Sequence, residues 1–371
     1  MTRIEFGAPE ILNRKTLQLG FVPEADCAPV AVAHEFGLFE KYELRVELRR
    51  ETRWSGIRDG ISYGGLDAAH APAPLPFEMN LSLDSDQSAC VSGMVLSLQG
   101  NSITVSRELW DEGVRDAATL RDLVYRAWRR RTYTFGVVLA NSASAFLLRQ
   151  WLKLGGVLPD TEVRIVVLSP VQMFPMLKLG YIDGFCAGEP WTGVALEAGV
   201  GMTVAGSAEL APLHPEKVLM VRHDFAQRHA EQHTRMIAAL LEACAFCDQP
   251  HNQGLLSEIL SRSHYVGAPA ACVKRGWVDT APAKPESAGL NIFYRNHAND
   301  PTNDKATWIV NRLYDLMDQS VLKVMPGDRT PMLKNIFRRD IFECGKELAN
   351  QQAAALKAEA DSYAAGAGPA G

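Results

Sequence analysis

Several things are scarce in this chain, and each scarcity removes a class of function. No apolar run approaches the length of a membrane span, which needs about 20 consecutive apolar residues. The start, Met1-Thr-Arg-Ile-Glu-Phe-Gly-Ala-Pro-Glu-Ile-Leu-Asn-Arg-Lys15, has no apolar signal core and no small-residue cleavage site, so it predicts a protein that stays in the cytoplasm. Positive charge is in deficit. With 38 Lys and Arg against 43 Asp and Glu, the net charge is −5, which argues against a general nucleic-acid or anionic-membrane binder. A small anion is not excluded, because local donors decide that. Cysteine is sparse: seven residues at scattered positions fit a reducing compartment. Cys244 and Cys247 have a CxxC spacing inside a helical pattern, without a second pair or a His cluster nearby. No zinc, redox centre or other cofactor is expected from them. No nucleophile–base–orienter arrangement stands out, so no catalytic residue is assigned.

What the chain does have is a sizeable apolar content, 47% of 371 residues, enough for two globular lobes. The most informative stretch is Lys178-Leu-Gly-Tyr-Ile-Asp-Gly-Phe-Cys-Ala-Gly-Glu-Pro-Trp191. It reads as a helix end, a turn at Gly180, a short buried strand and a loop carrying Glu189. A related stretch runs from Tyr63 to Pro72. Upstream, Leu19-Gly-Phe-Val22 matches Phe135-Gly-Val-Val138, and the offset is 116 at both ends (136 − 20 and 183 − 67). Each copy reads strand, helix, strand, helix, strand. A duplicated unit of this kind predicts either two α/β lobes with a ligand cleft between facing strand ends or one doubly wound sheet, and two lobes are the preferred reading.

The organisation expected is a leader at 1–15, lobe one at 16–106 and 207–348, lobe two at 107–206, and an Ala-rich tail at 349–371 that is helical and then disordered. Val218 to Arg222 returns as a strand to lobe one. Phe225 to Asp248 reads as one helix, Gly276 to Asp304 as a long loop, and Lys305 to Gln319 as an amphipathic helix. Arg129-Arg-Arg131 reads as a solvated helix end.

Four motifs carry a resemblance: Gly184-Phe-Cys-Ala-Gly-Glu-Pro-Trp191, Gly20-Phe-Val-Pro-Glu-Ala-Asp-Cys-Ala-Pro29, Arg58-Asp59 with Gly65-Leu-Asp-Ala-Ala-His70, and His214-Pro-Glu-Lys217. Together they resemble the nitrate- and bicarbonate-binding proteins of the NrtA and CmpA type over about residues 16 to 320. The resemblance implies a class II periplasmic-binding-protein fold. Given the leader, the relative nearest in kind is the cytoplasmic nitrate/nitrite sensor of the NasS type, which holds an RNA-binding antiterminator, NasT, until the anion releases it.

The same resemblance supplies ligand-binding candidates. Trp54 would lie against a planar anion and donate its indole N–H; the alternative is a packing Trp. Gly100 and Asn101, with Ser102, stand where the nitrate binders have a Gly-Gln-Gly turn. Asn101 would replace the Gln amide or be a plain turn residue. Ser144 stands where nitrate binders have His, and is either an anion donor at a helix N-terminus or an ordinary N-cap. Pro170 begins a cleft-lining segment, with Gln172 a nearby donor. Lys217 aligns with the family's binding Lys and is the expected countercharge. Glu189 either pairs with Lys217 or coordinates a cation, as carboxylates do with calcium in the bicarbonate relatives. Without a carboxylate cluster, no metal ligand is assigned. Asp67 and Asp183 read as turn and strand-end caps, Glu24 and Asp26, at the end of the first strand, as helix caps in preference to cleft-facing carboxylates, and His70 as a core or cleft-wall histidine.

The leading expectation is therefore a cytoplasmic nitrate/nitrite-sensing protein acting through a NasT-like antiterminator, without direct nucleic-acid contact. The first alternative is the substrate-binding component of a nitrate/bicarbonate-type ABC transporter. The second is an enzyme like the pyrimidine-precursor synthases of thiamin biosynthesis, which share the fold. Those depend on a cysteine-rich segment, and this chain has only Cys186 in the equivalent region.

Overall fold

A computed structural model describes residues 15–81, 89–127, 130–275, 277, 291–316 and 329–366, with side chains as far as residue 358. The leader up to residue 14, residues 276 and 278–290 of the loop expected at 276–304, the last residues of the helix expected to reach Gln319, and 367–371 lie outside the described residues.

The first copy of the repeat gives three parallel strands, β1 (Leu17–Phe21), β2 (Val46–Arg50) and β3 (Ala68–Pro72), with β1 in the middle. β3 is buried along its whole length, as a strand covered on both faces should be. β4 (Cys90–Gln99) follows, then β5 (Asn101–Ser106). The second copy gives β6 (Thr134–Val137), β7 (Arg164–Val167) and β8 (Gly184–Gly188), again parallel with the first strand in the middle. β9 (Gly201–Gly206), β10 (Pro215–Arg222) and β11 (Asn291–Ile292) complete the set. The sheet orders are β11-β4-β10-β3-β1-β2 and β7-β6-β8-β5-β9. Register repeats as well: Leu19 faces Ala68, and Phe135 faces Gly184, the same pairing moved by 116 residues (135 − 19 and 184 − 68). The duplication is therefore two lobes, each an α/β sheet.

Each lobe lends a strand across the boundary. β10 returns antiparallel between β3 and β4, as expected. β5 differs from expectation: it pairs with β8 and β9 in the second sheet, so the chain changes lobe at Gly100 and not after Ser106. Gly100 has φ +106°, and a Cβ there would meet Asn291 Oδ1 at 2.0 Å; only glycine fits. The return crossing is tied to the outward one. Ser207 Oγ accepts from Gly100 N at 3.1 Å and Asn101 N at 3.3 Å, and Gln99 Oε1 accepts from Leu213 N at 2.9 Å.

The helix expected at Phe225–Asp248 is two helices, His223–Arg228 and Ala230–Cys247, broken at His229, whose φ/ψ of −124°/38° is not helical. The Ala-rich tail belongs to one 28-residue helix, Arg339–Gly366. It packs on the helix Ala230–Cys247 through residues such as Gly345, where a Cβ would meet Ile237 Cγ2 at 2.5 Å.

Candidate functional site

The carboxyl ends of β1, β3 and β8 meet β10 at the lobe boundary, which is where open α/β sheets place ligands. Pro23 and Glu24 leave β1 without starting a helix. Pro23 O accepts from Trp191 Nε1 at 3.0 Å, Glu24 Oε1 from Gly188 N at 3.2 Å, and Ala25 N donates to Glu189 O at 2.6 Å. The stretch after β8 is thus bound directly to the stretch after β1, and the lobes are in contact there.

Lys217 lies in this contact, 1% exposed. Its Nζ is 2.6 Å from Asp26 Oδ2, 2.8 Å from Glu216 Oε1 and 3.4 Å from Glu24 Oε2. Burying an ammonium alone is prohibitive; three converging carboxylates make it tenable. Burial would depress the Lys217 pKa, but the negative charges of Asp26, Glu216 and Glu24 push it well above its usual value. Burial also works against Asp26, yet the Lys217 charge and the contact with His70 hold it down at about 2. Glu216 is likewise lowered, with burial outweighed by Lys217 and His214. Glu24 goes the other way. Burial, reinforced by Asp26 and Glu216 and only partly opposed by Lys217, pushes it up to about 8.

Two imidazoles and an amide close the cluster. His70 Nε2, on β3, lies 3.2 Å from Asp26 Oδ1. His214 Nε2 is 3.1 Å from Glu216 Oε2, and its Nδ1 is 2.8 Å from Ala211 O. Asn101 Nδ2 donates to Glu216 Oε2 at 2.5 Å. Asn101 is therefore neither a plain turn residue nor a free amide donor. Trp54 opens the helix Trp54–Ser62 and is 1% exposed. Lys217 Nζ stands 5.2 Å from its ring centroid, within reach of a cation–π attraction. Its Nε1 is buried with no hydrogen-bond partner among the described residues, as is Ser102 Oγ on β5.

Several expectations change here. Glu24 and Asp26 do not cap a helix: Glu24 precedes the short turn Ala25–Cys27 with no side-chain capping bond, and both carboxylates serve Lys217. Glu189 is not a Lys217 partner among the described residues. Its Oε2 accepts from Gly193 N at 2.9 Å, and burial pushes its pKa up to about 7 against that bond. Ser144 is not the N-cap of the helix Ala143–Leu154. Ser142 is, accepting from Ala145 N at 3.3 Å, while Ser144 Oγ is paired with Ser142 Oγ at 2.8 Å. Pro170 is buried at the start of a short turn, and Gln172 is exposed, its Oε1 accepting from Ser169 N at 3.1 Å. Gln172 is a local cap and not a cleft donor. No hydrogen bond or ion pair joins Ser144 or Pro170 to the Lys217 cluster among the described residues. Asp67 and Asp183 are caps as expected, and His70 is a cleft-wall histidine.

A divalent cation does not fit the cluster. The three carboxylates converge on an ammonium that already stands in their focus, and among the described residues no group of His, Cys, Asp or Glu is arranged to hold a metal. Cys186 is buried in β8 with its thiol pushed far up by burial and by Glu216 and Glu24, the opposite of an activated nucleophile.

Glu216 and His214 were not singled out from the sequence, although the motif containing them was. Adjacent residues on a strand should face opposite ways. Here the pairing of β10 with β4 is irregular on both sides of Lys217, and such bulges re-aim side chains.

Two lobes joined by strand crossovers, with a buried polar cluster where they meet, make up a periplasmic-binding-protein fold. A family model described as the NMT1-like family matches residues 11–261, and the chain belongs to that family. It is 36% identical over 81% of its length to the bicarbonate transport ATP-binding protein CmpC of Synechocystis sp. strain PCC 6803, but covers only 46% of that protein. The chain thus spans about half the length of such relatives. It is 28% identical to the nitrate/nitrite binding protein NrtA of Nostoc sp. strain PCC 7120, over 82% of this chain and 71% of that one. Among solved structures, the periplasmic nitrate-binding protein NrtA from Synechocystis PCC 6803 superposes with a TM-score of 0.83 at 22% identity, covering 91% of this chain and 89% of that one. The resemblance to the NrtA/CmpA type and the periplasmic-binding-protein fold stand, and the relatives named above are binding and transport proteins.

Proposed function

We propose that this chain binds a small inorganic oxyanion, nitrate or nitrite with bicarbonate as the other candidate, in the cleft between its lobes, as the solute-recognition unit of a nitrate/bicarbonate-type import system. One observation carries the reading: the buried Trp54 ring lies against the Lys217 ammonium, 5.2 Å from Nζ to the ring centroid, its indole N–H has no partner among the described residues, and the third contact of Lys217, to Glu24 at 3.4 Å, is the loosest. A planar oxyanion would accept from both. The names of the NrtA and CmpA relatives agree with this. Four heavy atoms at about −1.5 kcal/mol each give about −6 kcal/mol, a Kd of tens of micromolar.

A second reading, a cytoplasmic sensor acting on a NasT-like antiterminator, rests on a different observation. The chain is 36% identical to a stretch of CmpC covering 46% of that ATP-binding protein, yet it contains no Gly-x-x-x-x-Gly-Lys-Ser/Thr phosphate loop. The shared stretch is therefore a separate unit attached to an ATP-binding chain, and ATP is supplied from the cytoplasm. In this reading the anion favours one lobe arrangement, and that arrangement differs in affinity for the partner.

Isothermal titration with nitrate, nitrite, bicarbonate and cyanate, each with and without calcium, tests the common ground. Saturable heat with nitrate, nitrite or bicarbonate, lost in Trp54→Ala and Lys217→Ala, is the expected result. Silence with all four anions would overturn it. Trp54→Phe guards against misfolding, since it keeps the ring and removes only the donor. Size-exclusion of the chain with a NasT-like protein, with and without nitrate, separates the sensor from the import reading.

A further inference from the structure

The Glu24 carboxylate holds an unusual position. Its Oε1 accepts from the Gly188 backbone N–H at 3.2 Å, across the lobe boundary, while its Oε2 lies 3.4 Å from Lys217 Nζ. Oε2 is fully buried and has no hydrogen-bond partner among the described residues. The approach is close enough that a Cβ on Gly188 would meet Glu24 Oε1 at 2.9 Å. A three-atom, planar carboxyl group, negatively charged once ionised, thus reaches from the cation of one lobe to an amide donor of the other.

The charges around it matter. Asp26 shares its own segment; Glu216 and Lys217 face it from β10; His70 on β3 backs Asp26, and His214 backs Glu216. From the second lobe come Gly188, the Glu189 backbone and Cys186 on β8. Among the described residues, Lys217 is thus the sole ammonium against Glu24, Asp26 and Glu216. A further anion arriving while all three are ionised meets like charges at short range in a poorly screened site.

We propose that Glu24 is a built-in competitor for the ligand: its carboxylate spans Lys217 and Gly188 in the empty site, and an incoming oxyanion displaces it from Lys217 while Glu24 takes up one proton from solvent. This rests on the anion reading above. The step balances: one monoanion and one proton enter together, the proton forms the Glu24 O–H, and no other bond changes. Burial brings Glu24 up to about 8, so the carboxylate competes as pH rises through that value, and proton uptake on binding belongs to the alkaline side. Asp26, held down at about 2 by Lys217 and His70, stays ionised throughout and is the countercharge that Lys217 keeps.

The test is titration of the full chain with nitrate and nitrite, which carry no proton in this range, in buffers of different ionisation enthalpy. In the wild type, Kd should rise about tenfold between about pH 7 and about pH 9, with proton uptake approaching one per anion at the upper end. Glu24→Gln, which keeps the Gly188 acceptor, should bind with no proton uptake and a flat pH profile. Asp26→Asn should change the affinity but keep the pH slope. Wild-type binding without proton uptake, or an unchanged slope in Glu24→Gln, overturns the competitor role and leaves the anion reading intact. Absence of binding by the wild type at any pH with these anions, bicarbonate or cyanate overturns both. The wild-type buffer series decides by itself if the Gln variant does not fold.

Discussion

Asp67 and Asp183, 116 residues apart, make the same bond in the two lobes. Asp67 Oδ2 accepts from Gln18 N at 2.9 Å, and Asp183 Oδ2 from Thr134 N at 2.7 Å. The other oxygen of each meets a cation at the same offset, Lys15 in one lobe and Arg131 in the other, both at 2.5 Å. Each carboxylate fixes the first strand of its copy against the helix-to-strand turn that leads into the third. The duplication therefore preserves a hydrogen-bonding device as well as a topology.

That equivalence predicts unequal costs. Asp183→Ala leaves the buried Thr134 N–H without a partner and should cost about 1–3 kcal/mol. Asp67→Ala should cost less, because Gln18 is only half-buried and water can replace the carboxylate. Urea unfolding of the two variants checks the order; equal costs would contradict it.

Lys217→Met removes the ammonium that Asp26, Glu216 and Glu24 share. Breaking a buried ion pair from one side costs about 3–5 kcal/mol. The loss should deepen with rising pH, because without the ammonium the carboxylates must ionise buried and unpaired. Thermal unfolding near pH 5 and near pH 8 would show it; a loss independent of pH would mean that the carboxylates find other partners.

The wild type should lose stability from weakly acid to weakly alkaline pH. Glu189 is raised to about 7 and Glu24 to about 8. A raised folded pKa gives a contribution that is complete below the unfolded value and gone once pH has risen through the folded one. Glu189→Gln keeps the bond from Gly193 and removes one of these titrations. It should match the wild type near pH 5 and exceed it near pH 9, by on the order of 2–3 kcal/mol at most. Identical pH profiles would rule out Glu189 as a contributor.

Gly100→Ala should be costly for two reasons, the positive φ of +106° and the 2.0 Å approach to Asn291 Oδ1. About 1–3 kcal/mol of backbone strain is expected, read as a lowered urea midpoint. Gly113→Ala, also at positive φ (+99°) but with nothing within 4 Å, isolates the conformational part and should cost less.

The 116-residue repeat was legible because it is written twice. Gly20 and Gly136, and Asp67 and Asp183, keep their types where strand packing and the strand-end cap require them. Trp54 and Lys217 were legible through the resemblance, and both lie at the lobe boundary. The partners of Lys217 were not. Glu24 and Asp26 follow a strand and precede a helix, where capping is the ordinary reading, and nothing local reveals that β10 arrives beside them from nearly 200 residues away. Ser142 and Ser144 could each cap by type, and only the backbone path selected Ser142.

The sequence by itself determined the duplicated α/β units, the turns that end their helices, and the family-type residues at the strand ends, because these depend on short-range periodicity and on residue type. The tertiary structure decided which lobe β5 joins and that a bulge turns Glu216 and Lys217 into one cluster. It also decided that a carboxylate of the chain itself occupies the countercharge. Those outcomes depend on which strand pairs with which across more than a hundred residues, and charge in a buried site is settled by every neighbour that packing brings there.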